Sequence, residues 1–242
     1  MTTIVSGFLG KCNINVNRSF DKYVELGIKL LNINVPKIIF VDQSMYDKIK
    51  SFDNEFTKII LYDKKDSYLY SYVSPECLIN FQVNTPTPQK DSMEYMSCIC
   101  NKTEWIKQAI EINHFNTNQF IWVDFAIRHV ITNDDIYTNF ILNLQNKPYA
   151  KIRIASIWNL DANYDTDIYK QIAWYFAGGV VGGDKEQLLI FSEKMKNICL
   201  KTIIEKQTIT WEVNLWYLIY KEHPDLFDPY YCDHNNSILE NY

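Results

Sequence analysis

In its N-terminal quarter the chain alternates short apolar runs with amphipathic stretches, and this order restricts the fold more than any other feature. Thr3-Ile4-Val5-Ser6-Gly7-Phe8 reads as a strand with a small pair, Ser6-Gly7, near its end. Ser19 to Leu31 is an amphipathic helix with Tyr23, Leu26 and Leu30 on one face. Lys37 to Asp42 is an apolar run rather than an alternation, as expected of a strand covered on both faces. A short helix, Ser44 to Phe52, and a strand, Lys58 to Asp63, follow. A β-α-β-α-β order implies a parallel sheet with helices packed over it.

Further along, Asp66 to Lys90 carries Pro75, Pro86 and Pro88 among polar residues and predicts a long loop or lid. The helical pattern returns at Asp91, with Asp91 and Glu94 in capping positions and Met96, Ile99, Ile106 and Ile110 in an apolar stripe ending near Asn113-His114. Strands are expected at Phe120 to Phe125 and at Lys151 to Trp158, and a final helix at Trp211 to Lys221, before a polar-aromatic segment, Tyr230 to His234. With 242 residues, 47% of them hydrophobic, the chain can bury one substantial core. The expectation is one α/β domain over residues 1–242, with a mostly parallel central sheet flanked by helices.

Four of the seven glycines fall in Ala177-Gly178-Gly179-Val180-Val181-Gly182-Gly183. The segment follows a strand-like run, Trp174-Tyr175-Phe176, and precedes Asp184-Lys185-Glu186-Gln187, which has the form of a capping box opening a helix through about Gln207. A strand, then bare backbone, then a helix start lets a ligand touch main chain. Close packing at a tight turn would need one or two glycines; four argue for a ligand against the backbone. The spacing is neither a dinucleotide fingerprint nor a P-loop.

A formal charge of −5 with no basic cluster argues against a nucleic-acid partner. The start, Met1-Thr2-Thr3-Ile4-Val5-Ser6, has no basic region before an apolar stretch, so no secretory signal is expected. No apolar run is long enough for a transmembrane segment. The six cysteines, Cys12, Cys77, Cys98, Cys100, Cys199 and Cys232, form no Cys-x-x-Cys pairs, which suits reduced thiols in a cytoplasmic protein. Among the basic residues only Arg18, Arg128 and Arg153 are arginine, so each arginine carries more information than a lone lysine.

Asp124 stands out, at the carboxyl end of an apolar strand, where open α/β sheets bind ligands. A carboxylate there needs a metal, a hydroxyl or a cation, or else a structural partner such as Arg128. Glu212 lies in a helix apolar on more than one face and suits an acid, a base or an acceptor for a sugar hydroxyl, although a first-turn Glu also complements the helix dipole. Asp233 and His234 have the chemistry to ligate a divalent ion, and Lys102 to reach a phosphate. Neither Gly-x-Ser-x-Gly nor His-Glu-x-x-His occurs, which disfavours serine hydrolases and zincins.

The opening strand, the Lys102 region, Trp122-Val123-Asp124-Phe125-Ala126-Ile127, the segment Ala177 to Gly183 and the terminal Ser237-Ile238-Leu239-Glu240-Asn241-Tyr242 together resemble the HtrL/YibB-like proteins, in the same order over nearly the whole chain. That resemblance implies a glycosyltransferase of the GT-A, Rossmann-type sandwich. Residues 1–125 would be its nucleotide-binding half and 126–242 its sugar and acceptor half. The donor would be a nucleotide sugar, a UDP-sugar first, and the acceptor a glycan or protein hydroxyl. By the same resemblance Ser6 and Gly7 sit under the base and ribose, and Lys102 faces the donor. Asp124 matches the first Asp of an Asp-x-Asp motif that binds ribose and metal. Phe176-Ala177-Gly178-Gly179 lines the sugar pocket, Glu212 faces donor sugar or acceptor, and His234 is a late metal ligand. Ala126 replaces the second Asp. Either a manganese or magnesium ion is held by Asp124 with Asp233 or His234, or Lys102 and Arg128 neutralise the leaving diphosphate. The missing Asp also admits a catalytically inactive carbohydrate- or partner-binding protein, and Asp124, Asp233 and His234 admit a metal-dependent hydrolase. The low-GC bias of the composition would suit a relative carried by a large DNA virus and working in the host cytoplasm.

Overall fold

The structure, a computed structural model, describes residues 1–10, 18–73 and 83–242. Part of the expected lid, with Pro75, and the cysteines Cys12 and Cys77 lie outside the described residues. In chain order the elements are β1 (Thr2–Phe8), α1 (Phe20–Leu31), β2 (Lys37–Val41), α2 (Gln43–Ile49), β3 (Thr57–Leu61), α3 (Tyr70–Val73), α4 (Met93–Cys100) and α5 (Lys102–Ile112). There follow β4 (Gln119–Val123), α6 (Asp134–Asn143), β5 (Ile152–Ser156), β6 (Phe176–Asp184), α7 (Lys185–Lys206), α8 (Glu212–Glu222), β7 (Phe227–Tyr231) and α9 (Ser237–Glu240).

The strands form one seven-stranded sheet in the order β3-β2-β1-β4-β6-β5-β7. β1 pairs in parallel with β2 and β4, β2 with β3, and β5 with β7, while β6 is antiparallel to both β4 and β5. Six strands therefore share one direction and β6 alone is reversed. The expected α/β architecture, a mostly parallel sheet between helices, is the one observed.

The apolar runs are explained by helices on both faces. Successive strand residues alternate sides, so Val5, Ile38, Phe120 and Trp122 pack with Trp105, Leu188 and Leu215 under α4, α5, α7 and α8. Ile4, Ile39, Ile121 and Val123 pack with Leu26, Met45, Phe140 and Ile238 under α1, α2, α6 and α9.

Two sequence expectations need correction. The glycine segment is not bare backbone between a strand and a helix: all four glycines lie inside β6, a strand paired with β4 on one side and β5 on the other, and none has a positive φ. What demands glycine there is close approach. A Cβ on Gly182 would lie 2.7 Å from the Tyr242 hydroxyl oxygen and 2.8 Å from Ile121, and one on Gly183 would lie 2.5 Å from the Lys151 carbonyl oxygen. The helix expected from Asp91 to Asn113 is two helices, broken at Asn101. The Asn101 side chain bonds outward, its oxygen accepting from Ser67 at 2.8 Å and its nitrogen donating to the Tyr62 hydroxyl at 3.1 Å. The N-cap of α4 is Ser92, which accepts from the Tyr95 N–H, and not Asp91. By contrast, Ser19 and Asp184 cap α1 and α7 as their positions suggested.

Candidate functional site

A cleft of about 600 Å³ opens at the edge of the sheet where β1 and β4 end and the reversed β6 begins. The reversal puts the start of β6, Ala177-Gly178-Gly179, beside the carboxyl ends of its neighbours. The Asp124 N–H donates to the Gly179 carbonyl at 2.9 Å, fastening the residue after β4 to that start.

At the centre is Lys102, the first residue of α5, only 6% exposed. Its ammonium lies 2.9 Å from Asp124 Oδ1, 2.8 Å from Glu212 Oε1 and 2.9 Å from the Gly178 carbonyl oxygen. An ammonium has three N–H donors, and here each has an acceptor. Burial by itself would lower the Lys102 pKa, but the charges of Asp124 and Glu212 and their hydrogen bonds hold it above its usual range. Glu212, at the N-terminus of α8, is 5% exposed and its charge is matched by Lys102. Asp124 is one-third exposed to the cleft, and its Oδ1 also accepts from the Trp122 indole N–H at 2.6 Å.

The floor under this cluster is aromatic. Trp122 stacks on Trp105 with centroids 5.7 Å apart, and Trp105 on Phe40 at 6.2 Å. Gly7 makes that stack fit, because a Cβ there would lie 2.7 Å from the Trp105 ring. The far wall is the segment before β6, held to α8 by Asn214: its side-chain nitrogen donates to the Ile168 and Gln171 carbonyls, and its oxygen accepts from the Ala173 N–H. A lone Asn within the apolar run Val213 to Ile219 is the sequence signal for this strut.

Charge is divided across the cleft. Of the residues lining it, Lys90 and His129 are exposed and Arg18 is half-buried, which sets them at its rim. The His129 Nδ1–H donates to the Ala126 carbonyl at 2.6 Å, which leaves Nε2 as the outward nitrogen. Partial burial lowers the His129 pKa, and the cations of Arg18 and Lys90 lower it further against the pull of that carbonyl and Asp124. His234 is also on the rim, its ring 5.0 Å from that of Trp174, and partial burial and His129 lower its pKa. Asp91, Asp124 and Glu212 lie inside with Lys102.

Of the residues singled out from sequence, Gly7, Lys102, Asp124, Ala177, Gly178, Gly179, Glu212 and His234 line this one cleft. Ser6 is fully buried, and its hydroxyl donates to the Val123 carbonyl at 2.7 Å. Arg128 is also turned away from the cleft. Its guanidinium donates to the Ile131, Thr132 and Asn133 carbonyls and pairs with Asp134, a structural use that braces the start of α6. The cation paired with Asp124 is thus Lys102 and not Arg128. Asp233 is exposed and does not line the cleft.

The residues present do not make a metal grip. Asp124 Oδ1 is taken by Lys102 and Trp122, Ala126 offers no oxygen in its side chain, and among the described residues no three His, Cys, Asp or Glu side chains converge to hold an ion.

In overall structure the chain is similar to mouse xyloside xylosyltransferase 1 in its apo form, at 14% identity, covering 95% of this chain and 85% of that one with a TM-score of 0.48. It is similar to 4-diphosphocytidyl-2C-methyl-D-erythritol synthase from Anaerococcus prevotii at 8% identity, covering 98% and 89% with a TM-score of 0.47. A CMP:2-keto-3-deoxy-manno-octonic acid synthetase complexed with CTP matches at 7% identity, covering 96% and 90% with a TM-score of 0.46. At this level the likeness does not extend to ligand or reaction. No curated protein matches the chain in sequence. The family model described as "bacterial protein of unknown function (HtrL_YibB)" matches residues 1–235, and the chain belongs to that family.

Proposed function

We propose that the protein is a glycosyltransferase that moves a sugar from a nucleotide-sugar donor, a UDP-sugar first among the candidates, to a hydroxyl of a glycan or protein acceptor. The observation that carries this reading is the division of charge in the cleft, with cations at the rim and carboxylates around a buried lysine inside. A nucleotide sugar has the matching polarity, an anionic diphosphate at one end and a neutral polyol at the other. When the bond to the anomeric carbon breaks, negative charge grows on the departing diphosphate, and preorganised cations stabilise it. Arg18 and Lys90, which line the cleft, are the cations we assign to that role. Lys102 fixes Asp124 and Glu212, which accept sugar or ribose hydroxyls, and Glu212 is the candidate base for the acceptor hydroxyl. Residues 1–125 would bind mainly the nucleotide and 126–242 the sugar and acceptor.

No step is derived through a divalent ion, because the donor set does not suit one. Among the described residues no helix is long and apolar enough to cross a membrane; a cytoplasmic site of action is part of the same proposal. Calorimetric titration with UDP-, GDP- and CMP-sugars, with and without manganese, tests the reading. Absence of binding and hydrolysis across that panel overturns it. One observation favours a second reading, a binding protein without turnover: Glu212 and Asp124 are both already ion-paired with Lys102. Donor affinity with no transfer in any acceptor screen would identify that case.

A further inference from the structure

Asp91 is a carboxylate in the cleft wall that capping does not explain. It is 2% exposed, yet it lines the cleft. Its Oδ2 accepts from the Thr85 hydroxyl at 2.6 Å and the Thr87 hydroxyl at 2.5 Å. Its Oδ1 is buried and has no hydrogen-bond partner, the one carboxylate oxygen in that position among the described residues. A buried acceptor left unsatisfied is unfavourable, so a fold that retains one calls for a reason. Bracing the loop uses Oδ2 only and leaves Oδ1 unexplained.

The surroundings define what would satisfy it. One turn along α4, Tyr95 lines the same wall. Burial first, and then the charge of Glu212, push its phenol well above its usual pKa, so it stays a neutral hydroxyl. Asp91, Asp124 and Glu212 outnumber Lys102 here, which makes this end of the cleft hostile to phosphate and receptive to neutral O–H donors. We propose that Asp91 Oδ1 accepts a hydroxyl of the transferred sugar and thereby selects among donor sugars. The inference rests on the nucleotide-sugar reading above and adds a specificity residue to it. The sugar class it favours is one with a free hydroxyl at that position, not one blocked by methylation, acylation or deoxygenation.

Asp91→Asn is nearly isosteric. It keeps an oxygen for the two threonines and turns the remaining position from acceptor to donor; Asp91→Ala removes both. Calorimetry with UDP and with UDP-glucose, UDP-galactose, UDP-xylose and UDP-N-acetylglucosamine on wild type, both Asp91 variants and Thr87→Val separates the roles. The expected result is a loss of about tenfold or more in affinity for the best-bound UDP-sugar in both Asp91 variants, with UDP itself unchanged and Thr87→Val close to wild type. Folded Asp91 variants that bind the UDP-sugar as wild type does, or that lose UDP and UDP-sugar alike, overturn the assignment. An equal loss in Thr87→Val also overturns it and leaves loop bracing as the role. Wild type that binds none of these donors removes the parent reading, a distinct result from wild-type binding that Asp91→Asn leaves intact.

Discussion

The Trp122 indole N–H donates to Asp124 Oδ1 across 2.6 Å, so a residue of the aromatic floor holds the carboxylate that faces the cleft. Residues two apart on a strand share a face, and β4 uses this to aim Asp124 while leaving its second oxygen uncommitted. An amide oxygen can accept the same indole bond. Asp124→Asn should therefore fold with a melting temperature close to wild type and lose turnover on the order of 10²-fold, because the charge is removed and the geometry kept. Melting temperature and rate per folded molecule, measured on the same sample, check this. A lowered melting temperature with turnover preserved would make Asp124 purely structural.

Lys102 and Glu212 form a buried pair, and breaking it from one side strands a charge. Lys102→Met should cost on the order of 3–5 kcal/mol, since Glu212 and Asp124 lose their shared cation. Adding Glu212→Gln to Lys102→Met should recover part of that loss, because the stranded carboxylate is then neutral. Urea unfolding of the two single variants and the double variant gives the coupling directly; additive costs would contradict it.

Three glycines of β6 differ in what an added side chain would meet. Gly182→Ala and Gly183→Ala should prevent stable folding, since the new methyl meets Tyr242 and Ile121, or the Lys151 backbone, with no room to move. At Gly179 a Cβ meets only Ile127 at 3.2 Å, a flexible side-chain end, so Gly179→Val should fold and block the sugar end of the cleft. Soluble yield and circular dichroism separate Gly182→Ala and Gly183→Ala from Gly179→Val, and calorimetry with the best nucleotide sugar reads the second effect.

Lys37 is fully buried at the start of β2, where its ammonium donates to the Ile33 carbonyl at 2.6 Å and the Thr57 hydroxyl at 3.2 Å. Burial lowers its pKa from 10.5 to about 8. Between those values the unfolded chain binds a proton that the folded chain has released, so folding becomes more favourable as pH rises through that window. The gain is on the order of 3 kcal/mol and is absent from Lys37→Met. Unfolding free energies of wild type and Lys37→Met from pH 7 to 10.5 should change in wild type's favour as pH rises; a constant difference would show that Lys37 does not titrate on unfolding.

Most of the layout was legible because local and global signals agree. The runs around Ile4, Ile38 and Ile121 mark strands buried on both faces, and Ser19 and Asp184 mark helix starts by side-chain chemistry alone. β6 is hidden in the sequence because its glycines lack strand propensity, and the neighbours that require them, Tyr242 and Lys151, are distant along the chain. α6 had a usable signal in Asn133-Asp134-Asp135, a cap followed by acidic first-turn residues, whereas Pro229 hid the edge strand β7. In the cleft, Lys102, Asp124, Gly178 and Glu212 are legible one by one, but the convergence of the last three on one ammonium is not. Asp91 reads as a cap in sequence, since a sequence cannot distinguish a carboxylate turned onto a helix end from one turned inward. Ser6 and Arg128 carried suitable chemistry whose bonds the fold spends elsewhere.

The reversed strand also sets the order in which the molecule can be made. β6 lies between β4 and β5 yet follows both along the chain, so each waits with an open edge until residues 176–184 dock. Pairing across such separations is slow, and an open edge invites pairing with other chains. Within β6 that docking rests on a few side chains, chiefly Phe176, Val180 and Val181, because its four glycines bring no side-chain surface to bury. A nascent chain should therefore be at its most vulnerable after β5 has emerged and before β6 has inserted. Since Gly178 and Gly179 belong to the inserting strand, the cleft comes into being only when that exposure ends.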